Sequence, residues 1–589
     1  MRCGGWGSHT VALAGRIDMA HAISRRGFIR LSLVALGGIG TTLVAACQPP
    51  APPAATSAPS APTQAPAAPT AAPKPATPPT AQPTIQTGVV AVPTAAPTVA
   101  PAANIKKGGR IIFADQSDWL NLHPWIGAGP NELGKEQFYD ALVEFDRQFN
   151  RTPSLAESWQ TPDDLTYVFK LRQGVKFHSG KEMDAGDVVY SMNLMRDKEK
   201  GAFSWYTFVD TVTAVDKYTV QIKTSKPDLA LLGTFAMHRF AAIVPDGAWE
   251  KQDLLTSEAG TGPYQLVEYA PSDHITMRRF ADHWRKDLPI ADEIILKLMP
   301  DEDSRIAALR SGAVDLAYLS PDGARRVARE PNLQVFEGFI CSPRVFQFAI
   351  KGEGKPLDDA RVRRALSLGF DRKEILEKVH DNKGILTGPI PNRYGDWAIP
   401  QDELEQKWLK YDVAEAKQLL ADAGYASGFS INAVVFPNAD APKRSVILKE
   451  QWNKIGVELK IEQVEFGVAV ARLNEGDFDV FPTGRGMRND PDGFVQDFTH
   501  LRAPGDKRGG LWGYQNQQLS ELIERARLTR DNAQRHQMYN EIQRTILQEA
   551  PHLYEVLPME FVGAQKYVKD YWVDFGTFRP ALKYTWLDK

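Results

Sequence analysis

Apolar and polar positions change rhythm twice along the chain. Residues 31–46 are almost continuously apolar, broken only by Ser32, Gly37, Gly38, Gly40, Thr41 and Thr42. That run is short and glycine-rich for a transmembrane helix and fits the apolar region of an export signal. Residues 48–104 lose all periodicity: they are almost entirely Pro, Ala and Thr, with one charge at Lys74. Such a segment cannot bury enough apolar surface to fold, and its prolines favour extended polyproline II. From residue 106 to the end, short β-patterns and helical patterns mix without a strict βαβ rhythm.

Within that last part, residues 110–114 read as a strand. Residues 167–177 read as a hairpin with Gly174 near its turn, and 212–224 as a second hairpin turning at Asp216 and Lys217. Asp184 caps an amphipathic run that ends near Lys198. Residues 304–310 read as a helix running into a strand at 314–318. Helices at 359–369, 412–423 and 443–455 then interleave with strands at 430–436 and 457–464, a more α/β-like order. Two helices, 517–528 and 532–549, lead to a closing strand near His552.

The start of the chain sets the compartment. Ser24-Arg25-Arg26-Gly27-Phe28-Ile29-Arg30 precedes the apolar run, and the paired Arg25 and Arg26 in that setting resemble a twin-arginine export signal. The run ends in Leu43-Val44-Ala45-Ala46-Cys47, which resembles the lipobox of bacterial lipoproteins. On that reading Cys47 becomes the lipidated mature N-terminus and holds the protein to the membrane. Each buried lipid CH₂ adds about 0.8 kcal/mol of membrane affinity. Residues 1–18 fit no export signal, so Met19 is the expected start of translation. The chain is then expected outside the cytoplasm, at the cell surface or in the periplasm, with residues 48–104 as a spacer.

Composition changes this picture little. A length of 589 residues exceeds what one hydrophobic core usually supports, so several domains are expected. The net charge of -3 comes from mixed signs throughout, with no basic stripe to mark a nucleic-acid partner. The cysteines Cys3, Cys47 and Cys341 are far apart and form no CxxC, so neither a disulfide framework nor a zinc site is indicated. Cys341 reads as a small buried hydrophobe.

Several blocks in order carry a family resemblance. They are Phe138-Tyr139-Asp140-Ala141-Leu142-Val143, then Pro153-Ser154-Leu155-Ala156-Glu157-Ser158-Trp159, then the stretch from Thr166 through Gly174 to His178. Gly260-Thr261-Gly262-Pro263-Tyr264, Asp358-Asp359-Ala360-Arg361-Val362-Arg363-Arg364-Ala365-Leu366, Asp371-Arg372 and the Ala416-Lys417-Gln418-Leu419-Leu420 core follow. Together they resemble the family 5 solute-binding proteins, the dipeptide, oligopeptide and nickel receptors of ABC importers. The resemblance implies an α/β fold of the type II periplasmic-binding-protein kind, two lobes with an extra third domain, mixed sheets and a hinged ligand cleft. It implies lobe 1 at 105–129, 261–345 and 556–589, the extra domain at 130–260, and lobe 2 at 346–555. It further implies a monomer that closes over a small molecule or peptide and presents it to the permease subunits of an ABC transporter.

The resemblance also places candidate ligand contacts. In peptide-binding relatives the segment after 478–480 carries an acidic residue for the peptide's amino group. Here that segment reads Gly484-Arg485-Gly486-Met487-Arg488-Asn489-Asp490-Pro491-Asp492. The acid's position falls on Met487 or Arg488, while Asp490 is retained. Arg485 and Arg488 offer guanidinium forks that suit carboxylate, phosphate or polyhydroxyl ligands, unless both form ion pairs with Asp490, Asp492 or neighbouring carboxylates. Asp118 and Trp119 after the first strand, Trp205 and Tyr206 in the extra domain, and Trp512 and Tyr514 downstream are carried over by position. Their rings suit sugars or side chains, although such aromatics are more often core.

Catalytic chemistry is absent from the local patterns. No HExxH, GxSxG or Walker loop occurs, and the histidines are scattered without metal-ligand spacing. Arg361, Arg363 and Arg364 read as a solvated helix face. A binding receptor with no cofactor and no resident metal is therefore the leading expectation. An exported hydrolase, or a chemosensory or interaction protein on the same fold, are the alternatives. The ligand stays open between peptide, sugar, opine-like acid and metal chelate.

Overall fold

Alternation of apolar and polar residues is clearest where a strand is covered on one face. In Glu293–Leu298, Ile294 and Leu296 are fully buried while Lys297 is exposed, as the two-residue period of a strand requires. The structure, a computed structural model, describes residues 105–117, 121–125, 135–147, 150–197, 206–340, 342–352, 354–436, 440–485, 490–499, 513–573 and 580–589. The export signal, Cys47, the spacer and Cys341 lie outside the described residues.

Three larger sheets organise the chain. The first has eight strands in the order Leu333–Phe339, Val556–Gln565, Leu316–Leu319, Arg110–Asp115, Glu293–Leu298, His274–Arg279 and Tyr264–Ala270, with Gly384–Leu386 paired beside Val556–Gln565. Arg110–Asp115 runs parallel to both of its neighbours, and the remaining pairs are antiparallel. The second has five strands in the order Val457–Gln463, Phe429–Val435, Val480–Gly484, Arg344–Phe348 and His552–Tyr554. The third is a four-stranded antiparallel sheet in the order Ala156–Asp163, Thr166–Leu171, Thr219–Thr224 and Val209–Asp216, so the chain crosses over between its second and third strands in sequence. This mixed α/β architecture agrees with the expected fold class.

The third sheet is covered by the helix Ala185–Arg196. Asp184 caps it, accepting from the Gly186 N–H at 2.8 Å, while Asp187 accepts from the Asp184 N–H at 3.0 Å. Val188, Met192 and Met195, at helical spacing, are fully buried beneath it. The expected hairpin at 212–224 forms, with Asp216 paired to Thr219. The hairpin expected at 167–177 does not. Thr166–Leu171 lies between Ala156–Asp163 and Thr219–Thr224, so both of its edges are filled by other strands. Gly174 does sit in a turn, with φ of +71°. Gly260 serves a close approach: a Cβ there would meet the Phe138 carbonyl oxygen at 1.8 Å.

Among the described strands the chain passes four times between the first sheet and the second, twice through the long connections on either side of Gly384–Leu386 and twice through short ones. One short connection joins the end of Leu333–Phe339 to the start of Arg344–Phe348. The other is Glu555, between His552–Tyr554 and Val556–Gln565. The Glu555 N–H donates at 3.0 Å to the carbonyl of Arg344, the first residue after the other short connection, and the Glu555 carbonyl accepts from the Thr387 N–H at 3.1 Å. Short strand-end connections of this kind are elements about which lobes can rotate.

Candidate ligand site at the end of the second sheet

Strand parity sorts the side chains at this end of the second sheet. Val345 lies opposite both Thr483 and Tyr554, and Gln347 lies opposite both Phe481 and His552. Successive side chains alternate faces, so Thr483, Val345, Tyr554, Gln347 and His552 share one face, and Arg485 extends that row. Arg344, Phe346, Leu553 and Glu555 belong to the other.

On the first face, Arg485 is anchored by its backbone, whose N–H donates to the Pro343 carbonyl at 2.9 Å. Its guanidinium is mostly buried and ion-paired with Asp497 of the short helix Gln496–Thr499. Burial works against the Arg485 charge, but Asp497 outweighs it and raises the pKa. Arg485 is therefore one half of an internal pair, as the ion-pair alternative anticipated, with Asp497 rather than Asp490 or Asp492 as the partner.

Beside that pair, Tyr554 and His552 are each 2% exposed. Among the described residues the Tyr554 hydroxyl and both ring nitrogens of His552 have no well-formed hydrogen bond, the ring meeting only a weak backbone interaction with Pro551. Burying such a group unpaired costs about 1–3 kcal/mol. Burial pushes the His552 pKa well down, and Arg485 adds to the effect, so the ring is neutral. Burial pushes the Tyr554 phenol up. Phe498 packs edge-on to His552 at 5.6 Å between ring centroids, and Tyr514 packs on Phe498 at 6.0 Å. Sequence reasoning missed Tyr554 and His552 as site residues. The signal was available: polar His552 and Tyr554 stand two apart in an otherwise apolar closing strand.

The other expected contacts fare differently. The Asp490 carboxylate caps the helix Pro491–Val495, accepting from the Asp492 N–H at 2.9 Å, and accepts from Arg535 Nη2 at 2.7 Å. It is 5% exposed, so the structure gives it an internal use rather than an open face. Tyr206 is a core residue whose hydroxyl donates to the Phe240 carbonyl at 2.5 Å. The buried Tyr514 hydroxyl donates to Glu549 at 2.6 Å. Asp118, Trp119, Trp205, Arg488 and Trp512 lie outside the described residues.

The opposite face holds a second charged cluster. Arg444 is fully buried and pairs with Glu555, also fully buried. Asp440 accepts from Arg344 Nε at 2.6 Å and lies 3.2 Å from Arg444 Nε. Burial raises the Glu555 pKa to about 7, with Arg444 opposing it and Asp440 adding to it. Asp440 goes the other way: burial would raise it, but Arg344 and Arg444 hold it well below the usual carboxylate range. Nearby, the three arginines expected on a solvated face divide. Arg361 is exposed. Arg363 is 3% exposed and donates to the carbonyls of Glu549, Leu357 and Asp358. Arg364 donates to the Trp408 and Lys407 carbonyls. Both satisfy strand-less backbone carbonyls that the helix packs against.

The third sheet also meets the helices beside the second sheet. Arg530, between the helices Gln517–Leu528 and Asn532–Glu549, pairs at 2.5 Å with Asp164, which follows the strand Ala156–Asp163. Arg527 pairs with Asp492 at 2.8 Å and lies over the Phe208 ring at 5.4 Å. Among the described residues no group of three or more His, Cys, Asp or Glu is placed to hold a metal ion. Among them too, no helix is long and apolar enough to cross a membrane.

Comparison with known proteins agrees with this architecture. The family model of bacterial extracellular solute-binding proteins, family 5 (Middle) matches residues 150–505. The dipeptide-binding protein of Escherichia coli (strain K12) is 29% identical over 476 residues, covering 74% of this chain and 86% of that protein. Heme-binding protein A of Haemophilus influenzae is 29% identical over 472 residues, covering 74% and 84%. Among solved structures, the binding protein AgaA in complex with agropinic acid superposes with a TM-score of 0.73 at 24% identity, over 82% of this chain and 99% of that one. DppA from Helicobacter pylori with the peptide STSA gives 0.72 at 23% identity, over 82% and 99%. The chain belongs to the family 5 extracellular solute-binding proteins, whose members are substrate-binding receptors of ABC transporters.

Proposed function

We propose, from that membership, that the protein is a lipid-anchored receptor that closes over one small polar solute and hands it to the permease subunits of an ABC importer. The observation that carries the closure is the pair of short connections, one leading into Arg344 and the other at Glu555. They are the two short links between the two sheets and would give the lobes a place to rotate. The ligand then stabilises the closed form by touching both lobes. On this reading lobe 1 takes residues 105–129, 261–345 and 556–589, lobe 2 takes 346–555, and 130–260 form the extra domain. Export through the Arg25–Arg26 signal and lipid on Cys47 complete the reading, with residues 48–104 lifting the receptor off the membrane.

Relatives bearing the names dipeptide-, heme- and glutathione-binding protein show how widely cargo varies on this fold. Asp118, Trp119, Arg488 and Trp512 stand as candidate contacts alongside the buried face around Arg485. Metabolic labelling with palmitate tests the anchor. The natural protein takes up label and partitions into detergent, whereas Cys47→Ser does neither; label retained by Cys47→Ser sinks the assignment. Small-angle scattering tests closure: a bound solute must lower the radius of gyration without being converted.

A further inference from the structure

The polar face around Arg485 carries buried groups whose bonding the described residues leave incomplete. Among the described residues the Tyr554 hydroxyl and the two His552 nitrogens, all shut from solvent, have no well-formed hydrogen bond, and the His552 ring has only a weak backbone interaction with Pro551. Native proteins leave few such atoms, and each calls for an explanation. They sit on the last strand of the second sheet, immediately before the Glu555 crossing, on the same face as Arg485. We propose that Tyr554 and His552, flanked by the Arg485–Asp497 pair, form a subsite for an uncharged hydrogen-bonding group of the solute, a hydroxyl or an amide.

The inference rests on the receptor reading and adds to it the chemical class of the group that is held. Charge decides the class. Arg485 is cancelled by Asp497, and His552 and Tyr554 are neutral, so the described side chains of this face carry no net charge. A carboxylate or ammonium placed here would be buried without a counter-charge, which is far costlier than burying a neutral polar group. Donor and acceptor supply decides the rest. A neutral imidazole offers one N–H and one bare nitrogen, and a phenol both donates and accepts. A hydroxyl or an amide also carries both functions and can satisfy all three atoms. A site that must hydrogen-bond its ligand rejects an analogue that cannot, because its own buried groups are then left unpaired. This turns the sequence-based preference for an anion at Arg485 toward a neutral group.

The test has a ligand-free arm and a binding arm, both on the full chain in detergent. In the ligand-free protein, Tyr554→Phe removes a hydroxyl that has no well-formed hydrogen bond among the described residues, so the melting temperature holds or rises by about 1–2 °C. A fall of several degrees shows the hydroxyl to be satisfied internally, by protein or trapped water, and overturns the proposal. The binding arm titrates maltose and N-acetyl-dialaninamide as neutral probes against succinate and the free dipeptide Ala-Ala. A neutral probe binds, and Tyr554→Phe and His552→Phe each weaken it tenfold or more. If only succinate binds, or if every probe that binds does so equally well to Tyr554→Phe, the subsite is wrong while the receptor reading stands. Binding by none of the four overturns the subsite; the receptor reading is judged separately by scattering.

Discussion

On the receptor reading proposed above, the Glu555 crossing is the hinge and the Arg530–Asp164 pair, between lobe 2 and the extra domain, is the far contact; the two use the same residue types under opposite conditions. At the hinge, Arg444 and Glu555 are both fully buried, with Asp440 and Arg344 completing the cluster. At the far contact, Arg530 and Asp164 remain 55% and 57% exposed. In water an exposed pair gains little, because its attraction is weak and it gives up side-chain freedom. In the interior the attraction is strong, but so is the cost of leaving either charge alone. The buried cluster is therefore a fixed part of the fold, and on the proposed closure the exposed pair would act as an adjustable bias.

The largest break in this comparison comes from Arg444→Met. It leaves Glu555 and Asp440 buried with one fewer cation, and one Arg444 nitrogen, Nη2, is already unpaired. Unfolding in urea is expected to show a loss of about 3–5 kcal/mol, the range for breaking a buried pair from one side. The double variant Arg444→Met/Glu555→Leu recovers much of that loss, since it removes both ends. A loss below about 1 kcal/mol for the single variant removes the contrast between hinge and far contact.

Next in size is a dependence on pH. The Glu555 carboxyl has an ordinary value of 4.5 and is raised to about 7 in the fold, chiefly by burial. Between those values the folded state holds a proton that the unfolded state has lost. Stability is thus full below about pH 4.5 and is lost as pH rises through 7. The contribution is of order 3 kcal/mol at most. Glu555→Gln flattens this part of the stability profile, as read by urea midpoints from pH 5 to 8. An unchanged slope in the variant assigns the dependence to another group.

How far these clusters were legible in the sequence follows from what makes them. Helices with caps and strands with regular alternation announce themselves locally: Asp184, Asp412 and Asp531 all cap the helices expected behind them. The misread 167–177 hairpin failed because local turn residues do not say which distant strand fills an edge. The site was less legible still. Arg485 and Asp490 were found by position, but their partners Asp497 and Arg535 are 12 and 45 residues away, and only the fold brings them together. Tyr554 and His552 went unnoticed because a polar residue in a closing strand looks like a surface residue until its face is known to be covered. Arg363 shows the same limit: helical spacing placed it in a charged run, yet packing against the Glu549 carbonyl buries it.

The smallest expected effect is the most informative about function. Arg530→Ala removes an exposed pair, so the free energy of unfolding changes by less than about 1 kcal/mol. If that pair favours the closed form, the same fraction of a kcal/mol appears in the lobe equilibrium, and solute affinity falls by up to about fivefold. Scattering on the ligand-free protein reads this directly. Arg530→Ala at low salt is expected to match the natural protein at 0.5 M salt, where the Debye length shrinks to about 4 Å and the pair is screened. The exchanged pair Asp164→Arg/Arg530→Asp restores the natural compactness and its salt dependence, because it rebuilds the attraction with the charges reversed. Arg527 supplies an internal control. It is mostly buried, pairs with Asp492 within its own lobe and lies over Phe208 of the extra domain, so Arg527→Ala is expected to cost stability as well as closure. Equal stability losses at Arg530 and Arg527 mean that the far contact is structural, and that the lobes are held shut by packing rather than by a tunable charge.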